Sequence, residues 1–369
     1  MVNLPEPFAS VPFHRLRYPG PSPIHEFANH ALDSSSPIQV WAKRDDQSAP
    51  LVCCGNKYRK LEYIIPDILA TPGVTTLVTE GGLQSNHAAQ TAVVAAKLGL
   101  ECVLLLNERS GGLSTAESPD IFRSAGNFQV YNLLGAQTRV HSGQCNKDDV
   151  LSELRSQGKV PYWIPSGASL HPLGGLGYAQ CAFEIATQEA EMDLGGTGRF
   201  DYIFLPCGSG STIAGLIAGF RLLEKASKKE NTLPKRQIIG IMVSPKTQQE
   251  ERVLSIARTV GDKIGLDSER DHSLNDVRLD HRFCGPGYGI FDNNLQSTLG
   301  DVAVKEGILM DPVYSGKAAR GMLSFLSSGE MMSDAMKNGY TGFEKVNVLF
   351  IHTGGQTVFS VYAPLPASV

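Results

Sequence analysis

Long apolar runs are missing from this 369-residue sequence. The longest, such as VLLL and TAVVAA, fall far short of the ~20 residues a membrane helix needs, so no membrane partner is expected. A large excess of charge of either sign is lacking as well. Charged residues make up 19% and the net charge is −4, which excludes the broad basic surface that neutralises nucleic-acid phosphates. The N-terminal stretch carries no apolar secretion core and the other end no SKL-type or KDEL-type signal, so a cytoplasmic protein is expected. The seven cysteines form no repeated C-x-x-C and are odd in number, which fits a reducing compartment better than a disulfide framework. Zinc spacing is absent too. In HEFANH the histidines His25 and His30 stand five apart, not four, so no metal is expected. The neighbouring Cys53 and Cys54 read as small packing residues.

What is present is 42% hydrophobic composition, enough for a large core or two domains. Short β-rich runs alternate with glycine turns and helical stretches. In TTLVTEGGLQSNHAAQTAVVAAKLGLECVLLL, the pattern predicts a strand over Thr75–Thr79, a helix over Asn86–Leu98 stopped by Gly99, and a strand over Cys102–Leu106. That is a βαβ unit, implying parallel strands and a right-handed crossover. A second unit has a strand over Tyr202–Leu205, a turn over Gly208–Ser211 and a helix over Thr212–Leu223. A third strand, Val346–Ile351, runs into another glycine turn. The fold class is therefore α/β with open, mainly parallel sheets, where ligands collect beyond the carboxyl ends of strands. The segment KKENTLPKR, Lys228 to Arg236, reads as a solvated loop.

All three glycine turns fall at such strand ends. CGSGST lets backbone approach a ligand and opens a helix whose free N–H groups attract anions. It lacks the GK[ST] of a Walker loop, and it reads either as a phosphate site or as an ordinary strand–helix turn. In GGLQSNHAAQ, Ser85, Asn86 and His87 open a helix and could receive a carboxylate; plain N-capping is the other reading. Tyr288 in GPGYGI and Tyr314 in DPVYSGK are candidates for proton transfer, or for packing with a polar tip.

Taken together, GNKYRKLEY, GGLQSNHAAQTAVVAAKLGL, IPSGASLHPLGGLGY, GSGSTIAGLIAGF, GPGYGI, EGILMDPVYSGKAARGM and FIHTGG resemble, in order and spacing, one family from about Pro21 to Gly355. It is the pyridoxal-phosphate group that includes 1-aminocyclopropane-1-carboxylate (ACC) deaminase and D-cysteine desulfhydrase. The resemblance implies the tryptophan-synthase-β type of fold, fold type II, with pyridoxal 5′-phosphate in a cleft between two open twisted domains. It implies a large cofactor domain from residues 1–60 and 180–369, a smaller one from 61–179, and a homodimer. It assigns Lys57 as the lysine joined to the cofactor and Asn86 as the partner of the cofactor's phenolic oxygen. Ser85 and His87 belong to the substrate-carboxylate loop. Gly208, Ser209, Gly210, Ser211 and Thr212 form the phosphate loop with Lys60 nearby, and Tyr288 and Tyr314 are the two active-site tyrosines. Arg59 and Lys60 are expected to help deprotonate Lys57 as neighbouring cations.

Two positions depart from the ACC deaminase pattern. Ser315 stands where a glutamate faces the pyridine nitrogen, and Thr353 where leucine precedes the last Gly-Gly. A hydroxyl there gives a weaker electron sink than a carboxylate, which suits elimination of a good β leaving group better than opening a cyclopropane. GASLHPLGGLGY and GSGST look more like the deaminases, and SNHAAQ lacks an arginine usual in both groups. The expected activity is β-elimination on a small amino acid, D-cysteine desulfhydrase-like, giving a 2-oxo acid and ammonia. The alternatives are ACC deamination, β- or γ-replacement, and a non-catalytic phosphate-ligand binder.

Overall fold

The structure, a computed structural model, describes residues 2–27, 37–108, 119–143, 145–227, 233–340 and 345–362. Its ten strands are β1 (Ile24–Glu26), β2 (Ile38–Arg44), β3 (Thr76–Gly82), β4 (Glu101–Asn107), β5 (Gln137–His141), β6 (Pro161–Ile164), β7 (Tyr202–Cys207), β8 (Gln237–Met242), β9 (Arg278–Asp280) and β10 (Val346–His352). The helices are α1 (Asn56–Ala70), α2 (Asn86–Leu98), α3 (Gly126–Leu133), α4 (Lys147–Ser156), α5 (Leu176–Glu189), α6 (Ser211–Ala226), α7 (Gln249–Ile264), α8 (Ser268–Asp271), α9 (Asn293–Glu306), α10 (Ser315–Ser327) and α11 (Glu330–Lys337).

These strands make two sheets. The larger runs β1-β2-β10-β7-β8-β9 and the smaller β5-β4-β3-β6. Every pairing is parallel except that of β1 with β2. Parallel sheets are covered on both faces, so their strands read as continuous apolar runs rather than alternating ones. β10 follows this rule: all seven of its residues are buried, between β2 on one side and β7 on the other. The small sheet is built from residues 76–164, the large one from 24–44, 202–280 and 346–352.

Helices α5 and α6 cross closely on the large sheet. A Cβ on Gly215 would lie 2.2 Å from the Gly175 carbonyl oxygen, and one on Gly219 2.4 Å from that of Ala179. The glycines therefore set the helix separation. The glycine–serine turn sits at the start of α6.

The βαβ unit is as expected, with differences at its edges. β3 runs on to Gly82 because Glu80, Gly81 and Gly82 continue pairing with Leu105, Leu106 and Asn107. Helix α6 begins one residue earlier and ends three later than its sequence pattern suggests. Within KKENTLPKR, residues 228–232 lie outside the described ones, and its last residue corrects the solvated-loop expectation. Arg236 is buried, pairs with Glu189 at 2.6 Å and lies 4.2 Å over the Phe220 ring. All seven cysteines are free thiols. His30 lies outside the described residues, and among those described no cluster could hold a metal ion. No described helix is long and apolar enough to cross a membrane.

Candidate active site

A cavity of about 440 Å³ opens between the carboxyl ends of the two sheets. Helix α1 delivers Lys57 to it. Gly55 must precede that helix, since a Cβ there would lie 2.5 Å from the Thr353 carbonyl oxygen. Burial lowers the Lys57 amine to about 8, against the smaller opposing pulls of Lys60 and Asp311. Lys60, one turn on, donates to Ser211 Oγ at 2.8 Å and to the Gly167 carbonyl at 3.2 Å. Burial, then the nearby Lys57, holds it well below the usual lysine range.

Arg59 corrects an expectation. It does not face Lys57, because residues two apart on a helix point to different sides. Its guanidinium is instead fully enclosed between Asp45, at 2.7 and 2.9 Å, and Glu184, at 2.9 Å. Burial is the first cause of the lowered Lys57 amine.

The turn after β7 forms the floor. Gly210 precedes α6 at φ +103°, a left-handed conformation natural to glycine. Gly208 supports the Tyr314 ring, whose nearest carbon would lie 3.1 Å from a Cβ there. Asn56 donates to Thr212 Oγ1 at 3.2 Å, tying α1 to α6. Ser169 joins the turn from the PSGAS loop, sharing its hydroxyl with Ser209 and Ser211. Lys246, which also lines the cavity, and Gln249 hold the Gly208 carbonyl, and Arg252 holds that of Ser209.

The opposite wall is the start of α2. Ser85 caps the helix, accepting from Ala88 N at 3.2 Å while also lining the cavity. The N-capping reading therefore holds for a position that also faces the cavity. His87 Nε2 lies 3.0 Å from Thr79 Oγ1. Burial, then Lys57 and Lys60, holds its imidazole far below the usual range, and so neutral.

Tyr288 and Tyr314 meet edge-on with hydroxyls 2.6 Å apart. Burial raises both phenols, and for Tyr288 the neighbouring Tyr314 adds to the effect, so both stay protonated. Asp311 accepts the backbone N–H groups of Val313, Tyr314 and Ser315, fixing the turn into α10. Ser315 Oγ lies 3.2 Å from Thr353 Oγ1.

Lys57, Ser85, Asn86, His87, Gly208, Ser209, Gly210, Thr212, Tyr288, Tyr314 and Thr353 all line the one cavity. Lys60, Ser211 and Ser315 stand one layer behind it and reach it through partners. Missed from sequence were Ser169, Lys246, Lys317 and Asn127. Each acts through a partner distant in the chain and carries no local signature.

The profile of the family described as pyridoxal-phosphate dependent enzyme matches residues 16–338. The chain belongs to this family. It is 36% identical over 356 residues to 1-aminocyclopropane-1-carboxylate deaminase of Burkholderia cenocepacia, covering 94% of this chain and 96% of that protein. The crystal structure of an ACC deaminase homologue superposes with a TM-score of 0.75 at 29% identity, covering 95% and 94% of the two chains. A hydrogen sulfide-producing enzyme from Fusobacterium nucleatum matches in fold, with a TM-score of 0.55 at 12% identity over 96% and 99% of the chains. The protein is thus a fold type II enzyme of the lyase and deaminase type, and its cofactor is pyridoxal 5′-phosphate.

The residues fit that cofactor. Two buried amines, Lys57 and Lys60, stand beside a glycine–serine turn at a helix N-terminus, an arrangement that calls for an anion. The Lys57 amine is close enough to neutral to act as a nucleophile toward an aldehyde.

Proposed function

We propose that this enzyme deaminates a small amino acid to a 2-oxo acid and ammonia by eliminating a β substituent, in the manner of a D-cysteine desulfhydrase. Gly208 to Thr212 would hold the cofactor phosphate, Lys57 Nζ its aldehyde carbon, Asn86 its ring oxygen, and the Ser315–Thr353 hydroxyl pair its ring nitrogen. The bound cofactor supplies an electron sink for the carbanion formed at the substrate α carbon. The N–H groups opening α2 receive the substrate carboxylate. Lys57 Nζ takes the α proton. The Tyr288–Tyr314 pair, protonated and hydrogen-bonded, gives a proton to the departing group. For D-cysteine with water, the products are pyruvate, ammonia and hydrogen sulfide. The same reading places the cofactor between a domain of residues 1–60 and 180–369 and one of 61–179, in a cytoplasmic homodimer.

The observation that carries the choice is Ser315. A hydroxyl, backed by Thr353, stands where a carboxylate would strengthen the sink, and the nearby Asp311 carboxylate is committed to three backbone N–H groups. A second reading, ACC deamination to 2-oxobutanoate, is favoured by the 36% identity to an ACC deaminase over nearly the whole chain. One assay separates them: D-cysteine, β-chloro-D-alanine and ACC are each incubated with holoenzyme and the 2-oxo acids identified. Pyruvate with sulfide from D-cysteine supports elimination. 2-Oxobutanoate as the main product supports ring opening. No 2-oxo acid from any of the three overturns both readings. Ser315→Glu is expected to raise turnover of ACC relative to D-cysteine.

A further inference from the structure

Asn127, at the second position of α3, is fully buried and is not among the residues that line the cavity. It lies 41 residues from Asn86, yet its Nδ2 donates to Asn86 Oδ1 at 2.8 Å. The direction of that bond is dictated by backbone, whose polarity is fixed. The same Nδ2 donates to the Gln84 carbonyl oxygen at 3.0 Å, which can only accept. The other side of the amide, Oδ1, accepts from Thr357 Oγ1 at 2.6 Å. Gln84 is oriented in turn: its Nε2 donates to the Phe122 and Ala125 carbonyls, so its Oε1 accepts the Asn127 backbone N–H at 2.8 Å. Gly126 makes room for this contact, since a Cβ there would lie 2.4 Å from Gln84 Oε1. Tyr131, one turn further on α3, donates to the Ser85 carbonyl at 3.0 Å.

An amide whose oxygen is held in this way has one orientation left. Asn86 itself lines the cavity, and its nitrogen, with two N–H donors, is the side left free of Asn127, next to Gly355. We infer that Asn127 is a positioning residue that fixes the side-chain amide of Asn86 as a hydrogen-bond donor toward the cofactor's ring oxygen. The inference rests on the cofactor placement proposed above. Without Asn127 the Asn86 amide can rotate by half a turn and present its oxygen, replacing attraction for an anionic ring oxygen by repulsion. A donor at that oxygen stabilises its ionised form and so lowers the pH at which the bound cofactor gives up its proton.

The test is a pH titration of the visible absorbance of the holoenzyme, with the cofactor dissociation constant measured alongside. The variants are Asn86→Ala, Asn127→Ala, Asn127→Asp and Thr357→Val. Asn86→Ala removes the donor and is expected to raise the midpoint by about one pH unit. Both Asn127 variants are expected to raise it in the same direction and to weaken cofactor binding about tenfold. Thr357→Val loses a bond of the same network but leaves Nδ2 anchored on the Gln84 carbonyl, so its midpoint stays at the wild-type value. A shift in Asn86→Ala without one in the Asn127 variants overturns the inference alone. Equal shifts in Thr357→Val and the Asn127 variants overturn it too, because they show only general loosening. No shift in Asn86→Ala overturns the cofactor placement itself. Should Asn127→Asp fail to fold, Asn127→Ala decides.

Discussion

In the proposed reaction the chemistry begins with one amine. A lysine in water stays protonated until about pH 10.4, whereas burial brings Lys57 to about 8. A lowered lysine pKa means the neutral, nucleophilic form is populated above that value and lost below it. The rate at which apo-protein captures pyridoxal phosphate covalently should therefore rise about tenfold from pH 6 to pH 7 and level off above pH 8, as followed by stopped-flow absorbance. Lys57→Ala should abolish turnover and the covalent band, with cofactor held only non-covalently. A second buried lysine does different work. Lys317 donates to the Val243, Cys284 and Gly287 carbonyls at 2.6 to 3.0 Å, and so ties the loop bearing Tyr288 to the end of β8. Lys317→Met leaves three carbonyls without that donor. It should lower kcat at least tenfold with little change in cofactor affinity, a split read from steady-state kinetics and cofactor titration.

Helix starts matter more than helix bodies in this site. α2 and α6 aim their free N–H groups at the cavity from opposite walls, and α1 carries the amine between them. Gly210→Ala imposes a left-handed φ on a residue with a Cβ, and that Cβ meets Val253 at 3.0 Å and Gln249 at 3.1 Å. The expected result is a loss of about 1–3 kcal/mol in stability and at least tenfold weaker cofactor binding, measured by urea unfolding and equilibrium dialysis. At this scale the sequence was most legible. The step from β-rich run to glycine turn to helical period located β3–α2–β4 and β7–α6, and their turns line the cavity. Arg59 shows where legibility ended. Its place beside Lys57 in sequence suggested shared chemistry, but helical geometry sends it to the other face, toward Asp45 and a glutamate 125 residues away. Asn127 and Lys317 were invisible for the same reason, since each is defined by acceptors on remote segments.

That glutamate belongs to a network that binds the molecule together behind the site. Arg17, Lys43 and Arg59 interlock with Asp45, Glu62 and Glu184, joining the N-terminal segment, β2, α1 and α5. Burial pushes the Asp45 and Glu184 carboxyls up, but Arg59 and then Lys43 outweigh it and hold both below the ordinary range. For carboxyls lowered in this way, the unfolded chain takes up protons first as pH falls. Their stabilisation is present above about pH 4.5 and is lost progressively below it. Glu184→Leu leaves Arg59 and Lys43 buried without that partner. It should cost about 3–5 kcal/mol at pH 7 and flatten the acid limb of the stability curve, both measured by urea titration between pH 3 and pH 7.

The position of β10 has a consequence for how the molecule is made. The last strand among the described residues occupies the middle of the large sheet, hydrogen-bonded on both edges. While the chain is being synthesised, β2 and the β7–β8 pair emerge first and have no direct bond to one another. Residues 346–352 supply the backbone bonds that join these two parts of the sheet, and Thr353 then accepts the Asn56 backbone N–H at the start of α1 at 3.1 Å. Nascent chains arrested before residue 346 should therefore bind no cofactor, although Lys57 and the whole glycine–serine turn after β7 have already been translated.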